Sequence, residues 1–249
     1  QYAEEAMYQH VARYLQPRFS AEIARKPSSP YSDKLTPKQI KNILNRSIIQ
    51  SERYRTMKAA GYSEDEIKAA FRKKQEMVVF TYHGDIDTLM SPLDSIRYYK
   101  SFLRSGLMSM DPKTGAVKAY VGGLDYPHFM YDMVSLGRRQ VGSTIKPFLY
   151  SLAMSNGFQP CDLAPNRQQT YMVAGRPWTP RNANHSRAGQ MVPLSWGLAQ
   201  SSNWVSAYLM SKLNPQQFVQ MLRDFGINSP DIHASMSLCL GPCEVSVSE

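Results

Sequence analysis

Apolar residues recur with the period of a helix along most of the first third of the chain. Residues 1–30 begin with a helical stretch. Two further helices start at capping sequences, at Thr36 with a proline and then a glutamine after it, and at Ser63 with three acidic residues after it. We expect the second helix to run towards Gly61 and the third to end at the basic residues 72–74. The predicted buried positions of the first helix are Ala6, Val11, Tyr14 and Leu15.

The pattern becomes that of β-strands after the third helix. Residues 77–82 are rich in β-branched and aromatic side chains, which predicts a strand. The segments 107–110 and 116–121 flank a turn that contains proline and glycine, and together they predict a β-hairpin. Between these two features, Ser91 caps a predicted helix.

Helical patterns return in the second half. After Gly142, apolar residues recur at i, i+3, i+4 and i+7, so one helix face is expected to be buried. Further helices are predicted at 194–200, 204–213 and 214–226. Residues 162–193 are rich in Pro, Asn, Arg and Gly and predict a long irregular loop, which in a compact domain is often functional. A helix that follows a hairpin indicates a sheet packed against helices. The expected buried face after Gly142 consists of Ile145, Phe148, Leu149 and Leu152.

Charge and chain ends bound the class of protein. The 249 residues carry a formal charge of +9, most of it in residues 1–76. Such a segment suits an anionic membrane surface, an acidic polymer or nucleic acid, although solvated faces of mixed helices are the commoner explanation. No apolar run approaches the roughly 18–20 residues that span a bilayer. The chain starts with Gln1 and stops at Glu249 without a terminating signal, so we interpret it as a fragment whose anchor or targeting segment lies outside it.

The cysteines point to neither a disulfide framework nor a metal site. There are three of them, Cys161, Cys239 and Cys243, and an odd number leaves one unpaired. No set of partners around them has the spacing of a zinc site. We therefore expect buried thiols for the last two, no metal and no cofactor.

A serine and a lysine at the start of the predicted helix are the first candidates for chemistry. Ser143 and Lys146 are three residues apart, which puts their side chains on one part of the helix surface. A hydroxyl beside an amine is a possible nucleophile with its base, and the unpaired N–H groups of a first helical turn can stabilise an oxyanion. Lys146 acts as a base only when it is neutral, which requires burial or nearby positive charge. Taken alone, S-x-x-K also fits a capping serine and a solvated lysine.

A second polar motif lies between two predicted helices, at Ser201–Asn203. A serine and an asparagine two residues apart can present a hydroxyl and an amide together. The Ser201 hydroxyl is suited to relay a proton towards Lys146, and the Asn203 amide is suited to hold a substrate carbonyl or amide. Alone this motif is common capping chemistry, but its position several dozen residues after Ser143 argues against coincidence.

With both motifs in this order, the chain resembles the transpeptidase domain of class A penicillin-binding proteins, a group for which S-x-x-K and S-x-N are established motifs. The resemblance covers residues 77–249, and residues 1–76 resemble the linker that follows the glycosyltransferase domain of that family. The residue sequence of several segments is similar to that found in Bacteroides-like bacteria. The other segments that carry the resemblance are 91–96, 110–117, 121–123, 139–148, 178–182 and 240–245.

The resemblance implies an α/β (α+β) fold of the penicillin-binding transpeptidase and serine β-lactamase type. It implies that Ser143 is acylated by peptidoglycan stem peptides and by β-lactams, with Lys146 as base, Ser201 as proton relay and Asn203 as substrate anchor. It also implies a whole protein on the periplasmic side of the bacterial inner membrane, held by an N-terminal anchor, that uses a lipid-linked precursor. No cofactor and no nucleic-acid partner are expected.

One departure from the family pattern and two alternatives stay open. The third motif, K-T-G on a strand beside the nucleophile, does not follow Asn203, and we treat Lys113–Gly115 as coincidental because it precedes the nucleophile in a hairpin turn. That strand would supply part of the carboxylate site and one oxyanion donor, so we expect residues 77–249 to be the N-terminal part of the domain. The alternatives are a serine β-lactamase or D,D-carboxypeptidase, and a non-catalytic penicillin-binding sensor or scaffold.

Overall fold

The computed structural model describes all 249 residues, which divide into two compact units, Gln1–Tyr131 and Asp132–Glu249. Both units combine helices with short antiparallel strand pairs, so the predicted mixed class is confirmed. The predicted sheet takes the form of five separate two-stranded pairs. None of the helices is long and apolar enough to cross a membrane.

The first unit contains six α-helices and four strands, and a π-helical turn at Tyr8–Leu15 joins its first two helices. The strands form two antiparallel pairs, residues 75–79 with 86–90 and residues 107–110 with 117–121. The helices are α1 (Tyr2–Met7), α2 (Gln16–Ile23), α3 (Pro37–Gln50), α4 (Glu52–Ala59), α5 (Glu64–Arg72) and α6 (Pro92–Lys100). The strands are β1 (Gln75–Val79), β2 (Ile86–Met90), β3 (Leu107–Met110) and β4 (Val117–Val121).

Capping sequences decide where the helices of this unit begin. Thr36 and Ser63 each form a capping box with the residue three positions later, as predicted. The expectation that the second helix runs on towards Gly61 is wrong, because it ends at Gln50. Ser51 leaves helical geometry at φ −73° and ψ 148°, and its hydroxyl accepts from the Tyr54 N–H to start α4. A local cap here outweighs the continuing apolar period.

The buried face of the first helical stretch is only partly as predicted. Val11 is buried and Leu15 is half-buried, whereas Ala6 and Tyr14 are exposed. The π-helical turn explains the exposure of Tyr14, since its i to i+5 hydrogen bonds put more residues into each turn and rotate the following side chains around the axis. Burial therefore falls on Met7, Val11 and Ala12.

The strand predicted at 77–82 begins and ends earlier, at Gln75–Val79, and pairs with β2, for which the sequence pattern gave no prediction. Phe80 follows β1 and packs edge-on against the Tyr82 and Phe129 rings. The predicted hairpin of β3 and β4 is confirmed, with a register irregularity at Ser109 and Met110. Aromatic side chains therefore pack together directly after the end of β1.

The second unit contains four helices and six short strands, with 3-10 turns at Gly142–Ile145 and Met236–Leu240. The prediction that residues 162–193 form an irregular loop is wrong in part, because residues 163–165 pair with 191–193 and residues 171–173 pair with 176–178 as antiparallel strands. The helices are α7 (Lys146–Ser155), α8 (Leu194–Ala199), α9 (Asn203–Lys212) and α10 (Pro215–Asp224). The strands are β5 (Arg139–Gln140), β6 (Leu163–Pro165), β7 (Tyr171–Val173), β8 (Arg176–Trp178), β9 (Met191–Pro193) and β10 (Glu244–Val245).

The core of the second unit forms around α9, which is buried on nearly every side. The predicted face of α7 packs into this core, with Phe148 half-buried and Ile145, Leu149 and Leu152 buried. Cys239 and Cys243 are buried free thiols, as expected, and Cys161 is exposed. Because interiors of this kind are densely packed, α7 and α9 hold their ends in fixed positions.

The turn before α7 is in close contact with the C-terminal segment. The Gly142 N–H donates to the Gly241 carbonyl at 2.9 Å, and β5 pairs with β10 beside this contact. Gly241 has a left-handed φ of 62°, and a Cβ on it would overlap the Gly142 carbonyl oxygen and stand 2.7 Å from the Gly142 nitrogen. Only glycine fits at this contact.

We expect Gly241→Ala to lower the free energy of unfolding more than Gly226→Ala, as measured by urea denaturation. Gly226 also has a left-handed φ, of 89°, but a Cβ there meets no atom. Both variants carry the strain of about 1–2 kcal/mol that a side chain brings to this conformation. Gly241→Ala carries in addition an overpacking cost of about 1–3 kcal/mol. Equal losses of the free energy of unfolding in the two variants would contradict the close contact between Gly241 and Gly142.

Candidate active site

Ser143 and Lys146 lie on consecutive turns at the entry to α7. Ser143 is in the 3-10 turn and is exposed, and neither its hydroxyl nor its N–H is engaged in the hydrogen bonds of the chain. Lys146 is the first residue of α7 and is only 1% exposed. The sequence therefore brings an unbonded hydroxyl and a buried amine to the same end of one helix.

Ser201–Asn203 forms the junction between α8 and α9. The Ser201 N–H donates to the Leu198 carbonyl at 2.9 Å, and the Ser202 N–H donates to the Gly197 carbonyl at 2.9 Å. This is the Schellman pattern that ends a helix, in which glycine usually takes the left-handed position. Here that position is Ser201, with φ of 52°, at a cost of about 1–2 kcal/mol. The Ser201 hydroxyl is thus held in a strained turn.

The side-chain amine of Lys146 ends at this junction. Its Nζ lies 2.6 Å from the Ser201 carbonyl oxygen, 2.9 Å from Ser201 Oγ and 2.7 Å from Asn203 Oδ1. The structure therefore brings three of the four predicted site residues into direct contact. Ser143 shares a small cleft, of about 130 Å³, with Ser201 and Asn203.

The three contacts define what protonation does at Lys146. A protonated amine has three N–H donors, and all three acceptors are then used. A neutral amine has two donors and one lone pair. Of the three partners only Ser201 Oγ has a hydrogen to give to that lone pair, because the Ser201 carbonyl and Asn203 Oδ1 are acceptors. The Ser201 hydroxyl is therefore the group that can pass a proton to Lys146.

Burial makes the neutral amine accessible near physiological pH. It lowers the pKa of Lys146 from its ordinary value to about 8, and the only opposing influence would come from a negative charge on the nearby Cys239. Burial raises the pKa of Cys239 to about 12, so this thiol stays neutral and supplies no counter-charge. The condition that the sequence set for Lys146 as a base, burial, is met. Because Lys146 is almost completely buried, the alternative of a solvated lysine one turn after a capping serine does not apply.

Two asparagines that have no predicted role support the junction. Asn182 accepts from the Asn203 N–H at 2.7 Å, and Asn166, which is buried, accepts from Ser202 Oγ at 3.0 Å. Both lie in the segment that was expected to be an irregular loop. A signal for Asn182 existed, since it ends the family-like segment 178–182. No comparable signal marked Asn166.

The K-T-G sequence at Lys113–Gly115 forms the turn of the β3–β4 hairpin, as expected. The Asp111 side chain closes this turn by accepting from the Lys113 N–H at 2.8 Å and the Thr114 N–H at 3.1 Å. The side chains of Lys113 and Thr114 are exposed. These contacts give the segment a turn-forming role.

The chain is similar to known proteins over both of its halves. The model of the penicillin-binding protein middle domain matches residues 26–103, and that of the penicillin binding protein transpeptidase domain matches residues 105–235. Penicillin-binding protein 1A of Neisseria flavescens is 35% identical over 147 residues, which are 58% of this chain and 18% of that protein. Penicillin-binding protein 1A of Pseudomonas aeruginosa is 31% identical over 148 residues, 59% of this chain and 18% of that protein.

A solved structure agrees with these matches. The crystal structure of penicillin-binding protein 1A from Haemophilus influenzae superposes with a TM-score of 0.53 at 27% identity, over 57% of this chain and 21% of that one. The chain spans about a fifth of the length of each of these relatives. The resemblance inferred from the motifs is confirmed. Because the transpeptidase model covers more than half of its residues, the chain belongs to the penicillin-binding protein transpeptidase family.

Proposed function

We propose that this chain carries the acylation centre of a peptidoglycan D,D-transpeptidase, with Ser143 as the nucleophile. The observation that carries the proposal is the buried Lys146 amine, bonded to Ser201 and Asn203 one helical turn after an unbonded serine hydroxyl. A nucleophile, a base with a lowered pKa and a proton-carrying hydroxyl are what serine acyl transfer needs.

In the acylation step, Ser143 Oγ attacks the carbonyl carbon of the penultimate D-alanine of a stem peptide. The Ser143 proton passes to Ser201 Oγ as Ser201 gives its own proton to the neutral Lys146 amine. The C–N bond then breaks, and the terminal D-alanine leaves with a proton returned along the same path. The Ser143 N–H, unbonded in the 3-10 turn, is available to the oxyanion that forms on the way.

In the second step, the amine of a neighbouring stem peptide attacks the Ser143 ester. Lys146, neutral again, takes a proton from that amine, and Ser143 Oγ leaves with a proton as the new peptide bond forms. Asn203 presents its amide at the cleft and is suited to hold a backbone amide of the substrate. A β-lactam would acylate Ser143 by opening its lactam C–N bond, and it would remain attached.

The wider setting is part of the same proposal. Residues 77–249 would be the N-terminal part of the transpeptidase domain and residues 1–76 a helical linker to a glycosyltransferase domain that uses a lipid-linked precursor. The protein would work on the periplasmic side of the inner membrane, held by an N-terminal anchor. This division of the chain at residue 77 stays a prediction.

The proposal is tested by incubating the full-length protein with a stem peptide that ends in D-Ala-D-Ala and with a D-amino acid as acceptor. We expect release of D-alanine and incorporation of the acceptor, both detected by mass spectrometry. In a separate assay, the penicillin adduct should persist for a time in which the protein would turn over many stem peptides. Hydrolysis without incorporation would indicate a D,D-carboxypeptidase, and rapid loss of the penicillin adduct a β-lactamase. An adduct with no peptide product would indicate a sensor. Each of these three results contradicts the transpeptidase.

A further inference from the structure

Asn182 bridges from the segment after β8 to the first turn of α9. Its Oδ1 accepts from the Asn203 N–H at 2.7 Å and from the Trp204 N–H at 3.3 Å, and its Nδ2 donates to Ser202 Oγ at 3.3 Å. Two of these three bonds go to residues of the Ser201–Asn203 motif that holds Lys146, and the third goes to Trp204, the next residue of α9. No other side chain bonds to both of these N–H groups.

These bonds solve a problem of helix ends. The first N–H groups of a helix have no partner within it. Ser202 is the N-cap of α9 and its hydroxyl accepts from the Val205 N–H at 3.3 Å, which leaves the two preceding N–H groups open. Asn182 accepts from both. Asn203, the first residue of α9, is therefore held by a side chain from outside the helix.

The neighbours of Asn182 fix the orientation of the Asn203 side chain. The Arg181 carbonyl accepts from Asn203 Nδ2 at 2.6 Å, and the Pro180 carbonyl accepts from Trp204 Nε1 at 3.0 Å. Since a backbone carbonyl only accepts, the Asn203 NH₂ group must face Arg181, and Oδ1 faces Lys146. A flip of this amide would set its donors against the Lys146 amine.

We propose that Asn182 is a positioning residue, which holds Asn203 and the adjoining Ser201 in register with the Lys146 amine. This inference rests on the proposed function, because register matters only if Lys146 and Ser201 move a proton. Misplacement of such groups by about 1 Å can cost on the order of a hundredfold in rate. Asn182 itself acts through Asn203.

The proposal is tested by measuring penicillin acylation of the full-length protein. The measurement separates the noncovalent binding constant from the first-order acylation rate. We expect Asn182→Ala to lower the first-order rate about ten- to a hundredfold. Asn182→Asp is expected to stay within a few-fold of wild type, since a carboxylate accepts from the same two N–H groups and suits a helix N-terminus. Asn228→Ala is the matched control, because Asn228 is exposed, lies outside the cleft and uses its side chain only to donate to the Gly226 carbonyl, at 3.2 Å.

Wild-type acylation by Asn182→Ala would overturn the proposal, as would equal losses in Asn182→Ala and Asn182→Asp. Hydrogen exchange of the Asn203 and Trp204 amides separates this result from failure of the proposed function. If the wild type is not acylated, the proposed function fails. In that case, faster exchange of both amides in Asn182→Ala alone still supports the positioning of Asn203, and unchanged exchange overturns it.

Discussion

Replacing Ser143 with alanine is expected to abolish covalent labelling of the protein by a fluorescent penicillin. The substitution removes the one hydroxyl that lies in the cleft without a hydrogen bond and one turn before the buried Lys146. No ester can form without it, so the labelled band on a denaturing gel should disappear. The melting temperature should change little, because Ser143 is exposed.

Ser151→Ala is the matched control for this loss. Ser151 is an exposed serine in α7, the helix that follows the 3-10 turn of Ser143, and its hydroxyl donates to the Pro147 carbonyl at 2.9 Å. Ser151→Ala removes the same hydroxyl oxygen at a position outside the cleft, so penicillin labelling of this variant should match that of the wild type. Labelling that survives in Ser143→Ala would mean that another residue is acylated, and the assignment would be wrong.

Replacing Lys146 with methionine is expected to slow penicillin acylation on the order of 10²- to 10⁴-fold, the usual contribution of a general base. Methionine keeps an unbranched buried side chain but removes the amine that Ser201 Oγ and Asn203 Oδ1 contact. We expect the fold to survive, as monitored by circular dichroism, because the core around α9 is unchanged. Lys212→Met, at the exposed end of the same α9, is the control and should acylate normally.

The pH profile separates a base from a structural lysine. The pKa of Lys146 is lowered to about 8 by burial. Only the neutral amine accepts a proton, so the wild-type acylation rate should rise with pH through about 8 and level off above it. Lys146→Met should lose this inflection together with the rate. A flat wild-type profile, or near-normal acylation by Lys146→Met, would remove Lys146 from the base role.

Local signals account for the parts of the fold that the sequence predicted well. The capping boxes at Thr36 and Ser63 are made within four residues, so they depend on no distant contact. The apolar period of α7 and the turn of the β3–β4 hairpin are equally local. Where a short-range signal was overlooked, as at Ser51, the helix ended where it was not expected to.

Long-range contacts account for what the sequence could not predict. The pair β6–β9 joins Leu163 to Pro193 across the whole intervening segment, and neither strand carries an alternating pattern. The β7–β8 hairpin is local, but its strands of three residues each are too short for an alternating pattern to show. The burial of Lys146 depends on the packing of α7 against α9, 57 positions apart at the contact with Asn203. Composition alone makes a lysine on a helix look solvated. The motif spacing identified the right residues, and only the fold shows how their atoms meet.

The hydrogen bonds of Asn166 and Asn182 could not be predicted from the sequence for a similar reason, although the family-like segment 178–182 marks Asn182 itself. An asparagine in a Pro- and Gly-rich segment is usually interpreted as a turn residue, since its side chain bonds to nearby backbone. Asn182 bonds instead to Asn203 and Trp204, more than 20 positions away, and Asn166 to Ser202, 36 positions away. Such caps supplied from another segment leave no local signature.

Peptide mapping of the penicillin-treated protein identifies the residue that is acylated, which we expect to be Ser143. Trypsin cuts after Arg139 and resists the bond before Pro147, so Ser143 should lie in the peptide 140–167. We predict that this peptide gains the mass of one intact penicillin and that fragmentation assigns the added mass to Ser143. An adduct on another peptide, or on Thr144, Ser151 or Ser155 within this one, would contradict the account.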